Sequence, residues 1–183
     1  MLNRCNWVNL KNPLYVSYHD NEWGIPKHDD RMLFELLILE GFQAGLSWEC
    51  IINKREDFKK SFDGFCVEKV ANYTDQKLEE LMKNPKIIRN MRKIEAARNN
   101  AKVFMLIQKE FGSFDKYIWS FTEGTVVVED YSIRTTSPLS DLISKDLKKR
   151  GMKFVGSTII YSYLGAIGII NGHGSECDII NKY

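Results

Sequence analysis

An all-α bundle of about seven or eight helices is the fold that this sequence predicts. Three observations carry it. Apolar residues recur at helical spacing in several separate stretches. Those stretches start at good N-cap residues, with Ser137-Pro138 and Asn84-Pro85 placing Pro at a first helical position. Only Thr125 to Thr136 has strand character, through Val126, Val127 and Val128, and no second strand is evident to pair with it, so an extended loop is expected there.

In chain order, the first thirty residues are rich in Asn, Asp, Pro and aromatics and read as irregular structure with room for one short helix. Asp29 or Asp30 caps a helix to about Leu39. Ser47 caps the next, from Trp48 to about Lys60, through Trp48, Ile51, Ile52 and Phe58. Thr74 or Asp75 starts a short helix ending near Asn84. From Pro85 a long helix follows, with Ile87, Ile88, Met91, Ile94, Ala97, Ala101, Phe104 and Met105 on one face, and it stops near Gly112. Its basic residues Lys83, Lys86, Arg89, Arg92, Lys93 and Arg98 read as the wet side. Ser113 caps a short aromatic helix with Phe114, Tyr117, Ile118 and Phe121 on one side. Another helix runs from Ser137-Pro138 to Lys148, Lys149 and Arg150, with Gly151 past its end. Ser157 to Ile170 forms the last and most apolar one.

The 183 residues suit one domain spanning 1–183, or two closely packed lobes with a cleft between them. That length buries a sizeable core without disulfides, and four cysteines are too few for a disulfide scaffold. With 44% hydrophobic and 27% charged residues, no secretory signal and no stretch near membrane-span length, a soluble chain in a reducing cytoplasm is expected. The net charge of +2 is small, so any surface for a polyanion must be local.

Two short patterns carry chemistry. Lys148 to Ser157 reads KKRGMKFVGS, two helices joined by a short turn with Gly151 and Gly156, the pattern of a helix-hairpin-helix. Its glycines let the backbone approach a phosphate, the turn and helix N–H groups point at it, and Lys149, Arg150 and Lys153 add charge. The same pattern describes an ordinary corner between two helices with a solvated basic end. Cys5 and His19 near one end, and His173 and Cys177 in H-x3-C spacing near the other, make a soft tetrahedral set suited to Zn²⁺ with no open position for a catalytic water. Each cysteine alone reads equally as a small buried hydrophobe, the reading given to Cys50 and Cys66, and His28 reads as exposed.

The stretch LEGFQAGLSW (Leu39 to Trp48) places Glu40 and Trp48 on either side of a tight inter-helix turn. A carboxylate and an indole there could read a flat, cationic ligand. They could also be a capping Glu and a core Trp. The strings RCNW (Arg4 to Trp7), PLYVSYHDNEWG (Pro13 to Gly24), LEGFQAGLSW and LKKRGMKFVGSTIIYSYLGAIG (Leu147 to Gly168) resemble the DNA-3-methyladenine glycosylase I family, an outlying branch of the helix-hairpin-helix DNA glycosylases. The resemblance runs from about Arg4 to Cys177. It implies a structural zinc, one per chain, at Cys5, His19, His173 and Cys177, tying the N- and C-terminal segments together. It implies a pocket carboxylate at Glu40, pocket aromatics at Tyr15, Tyr18 and Trp48 with Trp7 and Trp23 nearby, and a DNA-intercalating turn at Gly45 and Leu46.

The activity so implied is hydrolysis of the N-glycosidic bond of 3-methyladenine in double-stranded DNA by a monomeric enzyme. The products are the free base and an abasic site. The family lacks the catalytic aspartate of its relatives, and IINGHG (Ile169 to Gly174) carries no acid. Phe42 stands where a more polar residue is expected, and the tail after Cys177 is short. Glu40 is open to two roles, recognition of the base or assistance to the water and the sugar cation. One rival is a wider glycosylase that also removes N7-methylguanine, which a carboxylate facing the guanine O6 acceptor disfavours. Others are a zinc-stapled DNA-binding module without chemistry, and a purely structural helical protein.

Overall fold

A computed structural model of the chain describes residues 2–131 and 133–180. Among these residues ten α-helices supply nearly all of the regular structure, more helices than the sequence suggests. They are α1 (Pro13–Asn21), α2 (Asp30–Gln43), α3 (Trp48–Ile52), α4 (Arg55–Ser61), α5 (Val67–Ala71), α6 (Asp75–Lys83), α7 (Met91–Phe111), α8 (Phe114–Ser120), α9 (Pro138–Lys149) and α10 (Ser157–Ala166). Among the described residues no helix is long and apolar enough to cross a membrane.

The extra helices come from breaks. The stretch expected as one helix from Trp48 divides at Asn53 and Lys54, two polar residues between α3 and α4. The Asn53 side chain accepts a bond from Asn12 (2.9 Å), and Glu56 and Asp57 favour a fresh N-terminus at Arg55. A 3₁₀ turn (Asp63–Phe65) and α5 fill a stretch where none was expected. Pro85 does not start the long helix. The Asn90 side chain accepts from the Lys93 N–H (3.2 Å), so α7 begins at Met91, and residues 85–90 form a turn that still buries Ile87. The last helix ends at Ala166, short of Ile170. Gly168 follows at φ +77°, so close to the Ile25–Pro26 backbone that a Cβ there would lie 2.2 Å from the Ile25 carbonyl carbon.

The sheet not expected from the sequence is minimal. Val127–Val128 (β1) pairs in parallel with Ile170–Asn171 (β2), the chain just beyond α10. So the valine stretch has a partner, and it closes the bundle near its C-terminal end.

The other caps form as the sequence reads. Asp29 caps α2, Ser47 caps α3, Thr74 caps α6, Ser113 caps α8 and Ser137 caps α9. Asp30 does different work: its carboxylate accepts from the Phe114 and Asp115 N–H groups (2.9 and 2.8 Å), fixing the start of α8 against α2. The helix α2 is buried on nearly all sides, from Leu33 to Phe42. This central position suits its sequence, apolar all round, and places Glu40 inside the protein.

Candidate functional site

Burying α2 forces a carboxyl into the interior, because Glu40 falls in its last turns. The Glu40 Oε2 has no hydrogen-bond partner among the described residues, and burial alone pushes the carboxyl up to about 8. It faces a cavity of about 900 Å³. Aromatic rings from three elements wall this space: Tyr15 and Tyr18 of α1, Trp7 and Trp23 on either side of it, and Trp48 at the start of α3. Tyr18 and Trp48 lie 5.3 Å apart between ring centroids, Trp7 and Tyr15 5.4 Å. The indole nitrogens of Trp7 and Trp48 are buried and also without partners among the described residues. The cavity thus offers flat apolar faces, two buried indole N–H donors and the buried Glu40 carboxyl.

Gln43, Tyr131 and Ser162 also line the cavity. Neither Gln43 nor Tyr131 was singled out from the sequence; the signal for Gln43 was its place one helical turn beyond Glu40. Tyr131 had no such signal: it stacks on Tyr161 (4.7 Å), meets Trp23 edge-on (5.2 Å) and reaches the site from a loop remote in sequence.

Beside one wall, the donor atoms of Cys5, His19, His173 and Cys177 all lie within 4.8 Å of one another. Cys177 Sγ is 3.6 Å from His19 Nε2 and 3.4 Å from His173 Nδ1, and Cys5 Sγ is 3.6 Å from His173 Nδ1. The ring nitrogens facing away from the cluster are held. His19 Nδ1 lies 2.8 Å from the Asp20 carboxylate, and His173 Nε2 3.3 Å from the Trp23 carbonyl. A carbonyl only accepts, so His173 carries its proton on Nε2 and turns the Nδ1 lone pair inward. Arg4 binds both Asp20 oxygens and holds that carboxyl down at about 2, so Asp20 is an ionised acceptor and His19 Nε2 likewise turns inward. Two imidazole lone pairs and two sulfurs converge, each ring oriented from behind, as metal-ligating histidines are. Burial pushes the Cys5 thiol up to about 11, a tendency that a divalent cation reverses. The donor set fits a tetrahedral soft-metal site. Cys50 and Cys66 are only half buried, and His28 bonds the Asp115 carboxylate (2.7 Å) over Trp119.

The turn between α9 and α10 is rigid. Ser144 Oγ donates to the Val155 carbonyl (2.6 Å), Met152 and Val155 are buried, and α7 holds the turn through two asparagines. Asn99 donates to the Gly151 carbonyl (2.8 Å), and Asn100 both donates to the Lys153 carbonyl and accepts from its N–H, each at 2.8 Å. The N–H groups of Gly151, Met152 and Lys153 are therefore engaged within the protein. Gly156 caps α10 without a side chain, so the first turn of α10 faces outward uncapped. Lys149 and Lys153 are exposed. Arg150, by contrast, is paired: it binds Glu110 and Asp146, both at 2.7 Å, over the rings of Phe111 and Tyr117. Gly45 and Leu46 form the turn between α2 and α3, with Leu46 exposed.

Such an arrangement can hold a flat, donor-bearing ring between indoles and a carboxyl, on a helical frame. A sequence model of the methyladenine glycosylase family matches residues 7–181, and the chain belongs to that family. DNA-3-methyladenine glycosylase 1 of Escherichia coli K12 is 42% identical, with 96% of each chain covered. A crystal structure of 3-methyladenine DNA glycosylase I superposes with a TM-score of 0.92 at 42% identity, over 96% of this chain and 98% of that one. A variant of 3-methyladenine DNA glycosylase I solved in complex with 3-methyladenine superposes at 0.91, with 37% identity over 94% and 95%.

Proposed function

We propose that this chain hydrolyses the N-glycosidic bond of 3-methyladenine in alkylated DNA, releasing the free base and leaving an abasic site. The observation that carries this is Glu40, a buried carboxyl that lines an aromatic cavity and whose Oε2 has no partner among the described residues. The methylated base is already cationic in DNA and leaves readily. The protein's work is then to select the base and expose its bond.

Selection follows from charge. A cationic ring against Trp48 and Tyr18 gains roughly 0.5–2 kcal/mol from the ring quadrupoles. The same charge draws the Glu40 carboxyl down, so that it ionises against the base and accepts from the exocyclic amine. Neutral adenine brings neither gain. Exposure requires the nucleotide to leave the stack, at a cost of a few kcal/mol. Leu46, exposed on its turn, is the apolar wedge that fills the gap. The turn at Gly151 to Gly156 serves as a helix-hairpin-helix. The uncapped N–H groups at the start of α10, with Lys149 and Lys153, hold the backbone phosphates, which positions a duplex without reading its sequence.

Cys5, His19, His173 and Cys177 hold one structural zinc that ties the chain ends together; their reduced thiols suit the cytoplasm. The enzyme acts as a monomer. Base release from methylated DNA, separated by chromatography, tests the whole reading. Free 3-methyladenine is expected from alkylated duplex and none from undamaged DNA. A folded, zinc-loaded protein that binds duplex and releases no base would instead be a binding module.

A further inference from the structure

Lys93 breaks two local rules. It sits in the first turn of α7, where the helix dipole disfavours a cation, and its ammonium is buried, which lowers its pKa. The sequence pattern assigns it to the wet face; the structure corrects that. Its Nζ donates to the Phe42 carbonyl (2.8 Å) and the Ala44 carbonyl (2.6 Å). Both belong to the end of α2, whose last carbonyls lack intrahelical partners. The same turn then reverses at Gly45 (φ +79°), and the Leu46 N–H closes it onto the Gln43 carbonyl (2.6 Å). A buried cation thus clamps the two carbonyls that flank the departure of the wedge turn. Seven residues on, Asn100 of the same helix holds the α9–α10 turn at Lys153.

We infer that Lys93 is a positioning residue for DNA: it fixes the height and angle of Leu46 relative to the α9–α10 turn, so that both engage one duplex together. The inference rests on the DNA-glycosylase reading above. Glu40 is held within the body of α2, upstream of the clamp, and Trp48 starts α3 beyond it under the Ser47 cap, so the base pocket is expected to depend on Lys93 far less than the wedge turn does.

The test compares wild type, Lys93→Met, Leu46→Ala and the double variant. Each is titrated with a duplex containing an abasic site and, separately, with free 3-methyladenine. Lys93→Met is expected to weaken duplex binding by about tenfold or more while base affinity stays within about twofold. Leu46→Ala is expected to add little on top of Lys93→Met, because the two act through one turn. Wild-type duplex affinity in Lys93→Met, additive losses in the double variant, or parallel loss of base and duplex binding each overturns the inference. If Lys93→Met does not fold, Lys93→Gln is too short to reach both carbonyls and is held to the same outcomes. A wild-type protein without affinity for the abasic duplex sinks the DNA reading itself, and this inference with it.

Discussion

Glu40 is the buried carboxyl of the cavity, and the proposed recognition of the base turns on it. Its carboxyl is held up to about 8 by burial, so the ligand-free protein keeps a proton that the unfolded chain gives up near 4.5. The native state binds more protons than the unfolded state between those values. Glu40's contribution to the stability of the ligand-free protein is therefore expected to fall as pH rises from about 4.5 to about 8 and to level off above. Glu40→Gln removes this group's share, so the difference in melting temperature between wild type and variant should change sign or shrink across that window. A difference that stays flat with pH would mean that Glu40 is ionised in the empty pocket. The same protonation qualifies one argument from sequence. A neutral carboxyl can donate to a guanine O6, so Glu40 excludes guanine only once a cation has ionised it. Base affinity gives the second test. A hydrogen bond to a charged group contributes about 1.5–3 kcal/mol, so Glu40→Gln should weaken binding of free 3-methyladenine by about tenfold or more in calorimetry. Single-turnover release should persist well above background, because stacking and the charged leaving group remain. A rate loss near the top of the roughly 10²–10⁴-fold range of general acid–base catalysts, with unchanged base affinity, would make Glu40 a proton-transfer group instead.

At the scale of elements, legibility in the sequence tracked locality. Caps are local, and Ser47, Thr74, Ser113 and Ser137 were readable from the few residues after each. The β1–β2 pair is a contact of two residues across a gap of over forty, with no periodic signal on either side. Lys93 was misread because helical spacing assigns a face and says nothing of what packs on it. The α9–α10 turn shows both sides of this. Its glycines and basic residues were visible, but the partners that sort them were not. Arg150 is bound by Glu110 and Asp146, whereas Lys149 and Lys153 are exposed. Changing Lys149 and Lys153 to Ala should weaken binding to any duplex about equally and reduce the slope of log affinity against log salt by about 2. Arg150→Ala should leave that slope unchanged and lower the melting temperature by loosening α9 from α7. Equal slopes for both changes would show that the turn is only a corner between helices.

The whole molecule is closed by its ends. Asp178 accepts from the Asn3 N–H (2.7 Å) and its own N–H donates to the Asn3 carbonyl (3.0 Å), beside the Cys–His cluster. These contacts are short, polar and exposed, and such bonds contribute little against water. A metal at the cluster would add a stronger restraint on the two segments. The cluster also touches the pocket directly. The His19 ring meets Trp7 edge-on at 5.2 Å, and His173 meets Trp23 at 4.6 Å. Trp7 and Trp23 line the cavity beside Glu40. A metal at the cluster would therefore fix two pocket walls through the backs of its own ligands, so that fold stability and base affinity move together. Purified protein should carry about one zinc per chain, and chelation should lower its melting temperature. Free 3-methyladenine should bind more weakly after chelation, and tryptophan fluorescence should change as Trp7 and Trp23 loosen. Cys177→Ser should reproduce all three effects without chelator, which separates loss of the site from other actions of the reagent. Metal analysis finding no zinc in folded protein with full base affinity would overturn the assignment, and loss of zinc with unchanged base affinity would confine the metal to holding the chain ends.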